Sequence, residues 1–230
     1  MERGETGMEA RLEGIRREET LQYLSWHGSF VPEQIRGDLD RCEAQIVRAA
    51  RPRLVWRLFS LTGDGTLAGT DYRPAGEDIC VFLRECDSVV LMAATLGAEA
   101  EALIRRAAGR DMADAVILDA AGSAAIEAVC DNFCADLAAA LAPRYLTDRF
   151  SPGYGDMPLS DQRAFFRVLD VSRRIGVSLS ESGLMIPQKS VTALIGVSDR
   201  PQEKRARGCA SCGMLENCPY RKEGKSCGSF

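Results

Sequence analysis

Residues 88–141 read SVVLMAATLGAEAEALIRRAAGRDMADAVILDAAGSAAIEAVCDNFCADLAAAL, and this stretch sets the fold class. Ser88 to Ala93 opens it with Val89, Val90, Leu91 and Met92 in a row, the composition of a buried strand. Two helical stretches follow, about Ala98 to Ala108 and Asp111 to Leu141. The second is long and rich in alanine, the best helix former, and Pro143 ends it. Upstream, a polar lead gives way to a short helix around Glu19 to Leu24. Pro32 to Ala50 predicts another, because Ile35, Leu39, Cys42, Ile46 and Ala49 recur at helical spacing. Leu54 to Leu61 has a strand composition, and Gly76 to Arg84 reads as a short helix. Downstream come a loop centred on Pro152-Gly153, a helix from Leu159 to Leu169, and strands over Gly176–Leu179, Leu184–Ile186 and Val191–Val197. The expectation is an α+β fold, helices packed on a mainly antiparallel sheet, with a Cys-rich C-terminal tail.

A boundary falls near Pro201, separating a domain over 1–200 from a basic tail over 201–230. Residues 200–230 carry seven basic against three acidic side chains, a local +4 that leaves −8 on residues 1–199. Over the whole chain of 230 residues the net charge is −4, which argues against a general nucleic-acid binder. A hydrophobic fraction of 46 % is enough to build a core. No apolar run reaches the roughly 18–20 residues of a membrane span, and Met1 to Thr20 has no signal-peptide core, so the reading is cytoplasmic, with no membrane partner. Nine cysteines in a reducing compartment point to metal, redox chemistry or burial rather than disulfides. Cys42, Cys80 and Cys86 sit in apolar contexts and are expected to be packing residues.

The segment Arg149-Phe150-Ser151-Pro152-Gly153-Tyr154-Gly155-Asp156 carries the most chemistry. Pro-Gly fixes a sharp turn. The guanidinium before it suits bidentate carboxylate recognition, and the tyrosine after it offers a ring face and a hydroxyl. These residues alone fit a surface turn equally well. On the long helix, Asp119, Ser123 and Glu127 lie four residues apart, with Cys130 and Cys134 continuing the stripe. Ala124, Ala125 and Ala128 surround Glu127, so a cation could approach its carboxylate; a solvated acidic stripe is the other reading.

The pattern Arg-x-x-x-Gly-Tyr at 149–154 resembles the signature of the S-adenosylmethionine-binding reactivation domain of cobalamin-dependent methionine synthases. Ala124 to Ala128 is similar to that family's helix carrying a ligand-contacting glutamate. Ser180-Glu181-Ser182, Met185, Pro187 and Ser190 resemble its Thr-Glu-Ser…Met…Pro…Ser region. The resemblance is strongest from Asp111 to Ala193. It implies that Arg149 holds the methionine carboxylate of the ligand, that Tyr154 contacts the ligand beside it, and that the Ser151 backbone bonds within the loop. Ser151 stands where the family commonly has alanine, a change a backbone contact tolerates. The resemblance places Glu127 toward the ligand's positive end. It also implies a further acidic contact near the start of the domain, which aligns with no position here.

The function implied is a free-standing reactivation subunit, supporting reductive remethylation of cob(II)alamin by S-adenosylmethionine in methionine biosynthesis. Cobalamin would be carried by the partner, a cobalamin-binding methionine synthase or related corrinoid protein. The family's corrinoid regions typically use Asp-x-His-x-x-Gly, and the one histidine here, His27, follows Ser25 instead. His27-Gly28 reads as a helix end. A reductase or flavodoxin-like protein would supply the electron.

The tail lies outside the resemblance. Cys209-x-x-Cys212, Cys218-Pro219 and Cys227 form a candidate metal set. The uneven spacing fits an iron–sulfur cluster somewhat better than zinc, and a structural zinc or free thiols are the other readings. The tail therefore leaves two further functions open: an iron–sulfur electron-transfer activator of a corrinoid protein, and a non-catalytic S-adenosylmethionine-binding module.

Overall fold

The computed structural model describes residues 10–26 and 30–202; His27 and all four tail cysteines lie outside the described residues. In chain order the elements are α1 (Arg17–Tyr23), α2 (Glu33–Ala49), β1 (Arg53–Ser60), α3 (Glu77–Phe82), β2 (Ser88–Thr95), α4 (Ala98–Ala108), α5 (Met112–Leu141), β3 (Tyr145–Phe150), α6 (Gln162–Leu169), α7 (Val171–Ile175), β4 (Ser178–Leu179), β5 (Met185–Ile186) and β6 (Ser190–Ser198). A 3-10 turn, Leu159–Asp161, leads into α6. The principal sheet runs β1-β2-β6-β3, every pair antiparallel, and β4 and β5 make a small hairpin. The architecture is the α+β arrangement expected.

β2 is buried at all eight positions because it is central in the sheet and both sheet faces are covered. One face, with Trp56, Val90, Met92, Ala193, Ile195 and Val197, packs against α2, α4 and α5. The other, with Val55, Phe59, Val89, Leu91 and Leu194, packs against α3, α6 and α7. The period-2 alternation of each strand is thus split between two cores.

α5 begins at Asp111, whose carboxylate accepts from Ala113 N at 2.9 Å and Asp114 N at 3.3 Å, a side-chain N-cap. Its alanines and Gly122 let neighbours come close. A Cβ on Gly122 would stand 3.2 Å from Lys189 Cε and 3.3 Å from Ile104 Cδ1.

The strand β3 is not expected from the sequence, which gives only a loop centred on Pro152-Gly153 between the long helix and the helix from Leu159. Its register explains both its obscurity and its use. Leu146 pairs with Val197 and Arg149 with Ile195, so β3 places two residues, Thr147 and Asp148, opposite the single Gly196. That extra residue is a β-bulge, which re-aims the side chains beyond it. Without it, Arg149 would lie opposite Leu194 and face α3 and α6. With it, Arg149 shares the face of Ile195 and turns toward α5. Thr147 Oγ1 accepts the Gly196 N–H at 2.8 Å. Gly196 has no room for a side chain: a Cβ would lie 2.5 Å from Cys86 Sγ and 2.9 Å from Thr147 Cγ2.

Of the three cysteines expected to be buried, Cys42 is, Cys86 is partly so, and Cys80 is exposed. Cys80 sits on the six-residue α3, whose inward side is taken by Ile79 and Phe82, so its neighbour in sequence points out.

Candidate functional site

Arg149 leaves the β3 edge and ends against α5. Its Nη2 donates to Glu127 Oε2 at 2.6 Å and its Nη1 to Asp131 Oδ1 at 2.7 Å, with Cys134 Sγ 3.6 Å from Nη1. The side chain is only 9 % exposed. Burial opposes its charge, but the sulfurs of Cys130 and Cys134 and the carboxylates of Glu127 and Asp131 outweigh it, so its pKa lies above the ordinary arginine value. Arg149 is therefore a fixed cation, held by residues spaced one turn apart on one helix.

Asp131 has a second cation. Its Oδ2 accepts from Arg16 Nη2 at 3.0 Å, and Arg16 is also paired with Glu19 of α1. Charges thus alternate along Glu19, Arg16, Asp131, Arg149 and Glu127. Beside this row stands Tyr23, near enough to Glu127, Tyr154 and Glu19 for their charges to act on it. Its half-buried position, then those neighbours, push its hydroxyl up to about 12. Burial likewise raises Glu19, partly offset by Arg16.

The loop after β3 carries the other expected residues. The Ser151 carbonyl accepts the Tyr154 N–H at 3.0 Å, and Gly153 N donates to the Met157 carbonyl at 2.9 Å. Gly153 has φ +94° and Gly155 φ +53°, a conformation glycine adopts without strain. Phe150 anchors the loop root against Phe82 at 5.2 Å between ring centroids, and the Tyr154 ring stands edge-on to Phe150 at 6.3 Å, exposed to solvent. Asp156 ties the far end to α3, accepting from Glu77 N at 2.6 Å and Asp78 N at 3.1 Å. A Cβ on Gly155 would collide with Asp78, and one on Gly76 with Asp156. The loop and the start of α3 are therefore locked by two glycines and one carboxylate.

The structure brings Glu127, Arg149, Ser151 and Tyr154 into one neighbourhood, but Arg149 lies on the strand and not on the loop itself. The acidic stripe of α5 is divided. Asp119 and Ser123 share Lys189, whose Nζ lies 2.8 Å from Asp119 Oδ1 and 2.8 Å from Ser123 Oγ. Glu127 belongs to Arg149, and Cys130 is buried in the core. The sequence reading missed Asp131, Arg16 and Tyr23. Asp131 was within reach of it, being four residues after Glu127 on the same helix face. Among the described residues there is no group of three or more His, Cys, Asp or Glu placed to hold a metal ion, and no helix is long and apolar enough to cross a membrane.

Residues 131–204 match the family model for the vitamin B12 dependent methionine synthase, activation domain. Among solved structures, the chain is similar to the crystal structure of the MetH reactivation domain bound to AdoHcy. The TM-score is 0.55 at 17 % identity, over 96 % of this chain and 86 % of that one. No curated protein matches. The family match and the shared fold bear out the resemblance to a reactivation domain.

Proposed function

From the premise that this chain has the fold of a methionine synthase reactivation domain and that family's activation segment at 131–204, we propose that it binds S-adenosylmethionine at Arg149. On this reading it serves as the reactivation subunit of a cobalamin-carrying methionine synthase partner. The observation that carries the proposal is the guanidinium of Arg149, turned by the bulge onto α5 between Glu127 and Asp131 and adjoining the loop that presents Tyr154. The solved relative holds AdoHcy, whose amino-acid end is the same as that of S-adenosylmethionine.

Arg149 receives the ligand's carboxylate in this arrangement. Glu127 keeps the guanidinium in plane and places negative charge beside the ligand's ammonium and sulfonium groups. Tyr154, exposed on a loop fixed by Gly155 and Asp156, contacts the ligand next to that carboxylate, and Ser151 closes the turn that positions it. The partner's cobalamin supplies the reduced cobalt that accepts the methyl group, with the electron delivered by a reductase or flavodoxin-like donor. This chain's contribution is positioning, which requires no general base.

The test is reconstitution. A cobalamin-loaded methionine synthase lacking its own reactivation region, oxidised to the cob(II) state, is supplied with a one-electron reductant, S-adenosylmethionine and this protein. Recovery of homocysteine methylation that depends on the wild-type chain and is lost with Arg149→Ala is the expected result. Equal recovery with the variant contradicts the proposal.

A further inference from the structure

Arg149 meets a problem of partners that the proposed function has to solve. Both of its Nη atoms already donate to carboxylates, Nη2 to Glu127 and Nη1 to Asp131. A ligand carboxylate held in bidentate fashion needs a free edge of the guanidinium. The guanidinium has five N–H donors, but a carboxylate that takes its Nη1–Nη2 edge displaces one of these acids, and the two are not equally placed to yield.

Glu127 is the more enclosed, 30 % exposed against 44 % for Asp131. Among the described residues, Asp131 alone of the two holds another cation, Arg16, through its second oxygen at 3.0 Å. When a paired acid in a partly buried site loses its cation, the cost is that of leaving the charge unpartnered. Asp131 avoids most of that cost, because Arg16 is already in contact and, at 63 % exposed, is free to follow it. We propose that Asp131 is an exchangeable counter-ion on Arg149. It gives up the guanidinium to the ligand's carboxylate and is retained by Arg16, so that ligand binding is coupled to the seat of α1. This inference rests on the proposed function and specifies how its site opens.

The packing of α1 agrees with a seat that can adjust. Glu19 Oε2 and Thr20 Oγ1 are buried without a hydrogen-bond partner among the described residues, which makes the seated helix less than fully satisfied. Arg16, at the N-cap position of α1, places its guanidinium on Glu19 and Asp131.

The experiment is a double-mutant cycle on the full chain, read by calorimetric affinity for S-adenosylhomocysteine. That ligand carries the carboxylate without the sulfonium charge, so the general attraction of acids for a cation is largely removed from the comparison. Asp131→Asn removes the competitor while keeping its shape, and is expected to tighten binding about fivefold, the scale of one partly exposed ion pair. Arg16→Ala removes the fallback partner and is expected to weaken binding two- to fivefold in the wild-type background. In the Asp131→Asn background the same change is expected to be silent, because there is no displaced charge left to receive. Unchanged or weaker binding by Asp131→Asn overturns the inference, and so does an Arg16→Ala effect of equal size in both backgrounds. Either result leaves the proposed function standing as long as the wild type binds. A wild type that does not bind the ligand overturns both.

Discussion

Two basic side chains reach α5 from the same side of the molecule, Lys189 just before β6 and Arg149 near the end of β3, and they are used differently. Lys189 is met by one carboxylate and one hydroxyl, Asp119 and Ser123, each at 2.8 Å, and its side chain is only 12 % exposed. That pair closes on itself: one charge, one countercharge, and Gly122 leaving space for the lysine stem. Arg149 is met by two carboxylates and a sulfur, and one of those carboxylates is shared with a third element, α1. A closed pair fixes a helix to a sheet. An over-supplied one can exchange a partner without leaving a charge bare, as the proposed carboxylate site would.

That contrast can be broken in order of expected effect. Deleting Asp148 removes the bulge, so Arg149 would exchange faces with its neighbours. We expect ligand binding to be abolished and stability to fall by several kcal/mol (about 3 or more), because a charge is directed into the α3 and α6 core; thermal denaturation and calorimetry check both. A variant that still binds would show that the bulge does not aim the site. Gly196→Val attacks the same feature from β6 by forcing carbon into the space of Cys86 and Thr147. About 2–3 kcal/mol of destabilisation is expected from overpacking, measured by chemical denaturation. Lys189→Met should cost about 1–2 kcal/mol through the unpaired Asp119, with ligand affinity unchanged within twofold. A large affinity loss there would erase the distinction between the two cations. Arg41→Ala sets the floor. Arg41 bridges Asp114 and Asp38 on the surface of α2 and α5, and its removal is expected to cost less than about 1 kcal/mol.

The same contrast marks where the sequence could be read and where it could not. The buried strands at 88–95 and 190–198 and the long helix at 112–141 were legible because a continuous apolar run or an alanine-rich stretch has few alternatives. β3 was not, since Tyr145-Leu146-Thr147-Asp148-Arg149-Phe150 lies at a sheet edge, carries a bulge and alternates in neither period. The motif at 149–154 singles out Arg149 and Tyr154 through resemblance, yet not the face Arg149 takes, because that depends on one extra residue in the pairing with β6. The contributions of Arg16 and Tyr23 were illegible for a different reason. They lie more than a hundred residues from Arg149, and only the packing of α1 on α5 brings them to it. The tail cysteines Cys209, Cys212, Cys218 and Cys227 lie outside the described residues, and a metal there stays a reading of the sequence.

If Arg149 holds the carboxylate of S-adenosylmethionine as proposed, calorimetric titration of that ligand into the wild type and into Arg149→Ala shows it. Saturable binding by the wild type and a loss of roughly 100-fold or more in the variant are expected, the scale of a charge-assisted bidentate contact, with circular dichroism confirming that the variant is folded. A folded wild type that takes up no ligand, or a variant that binds as well as the wild type, would contradict it.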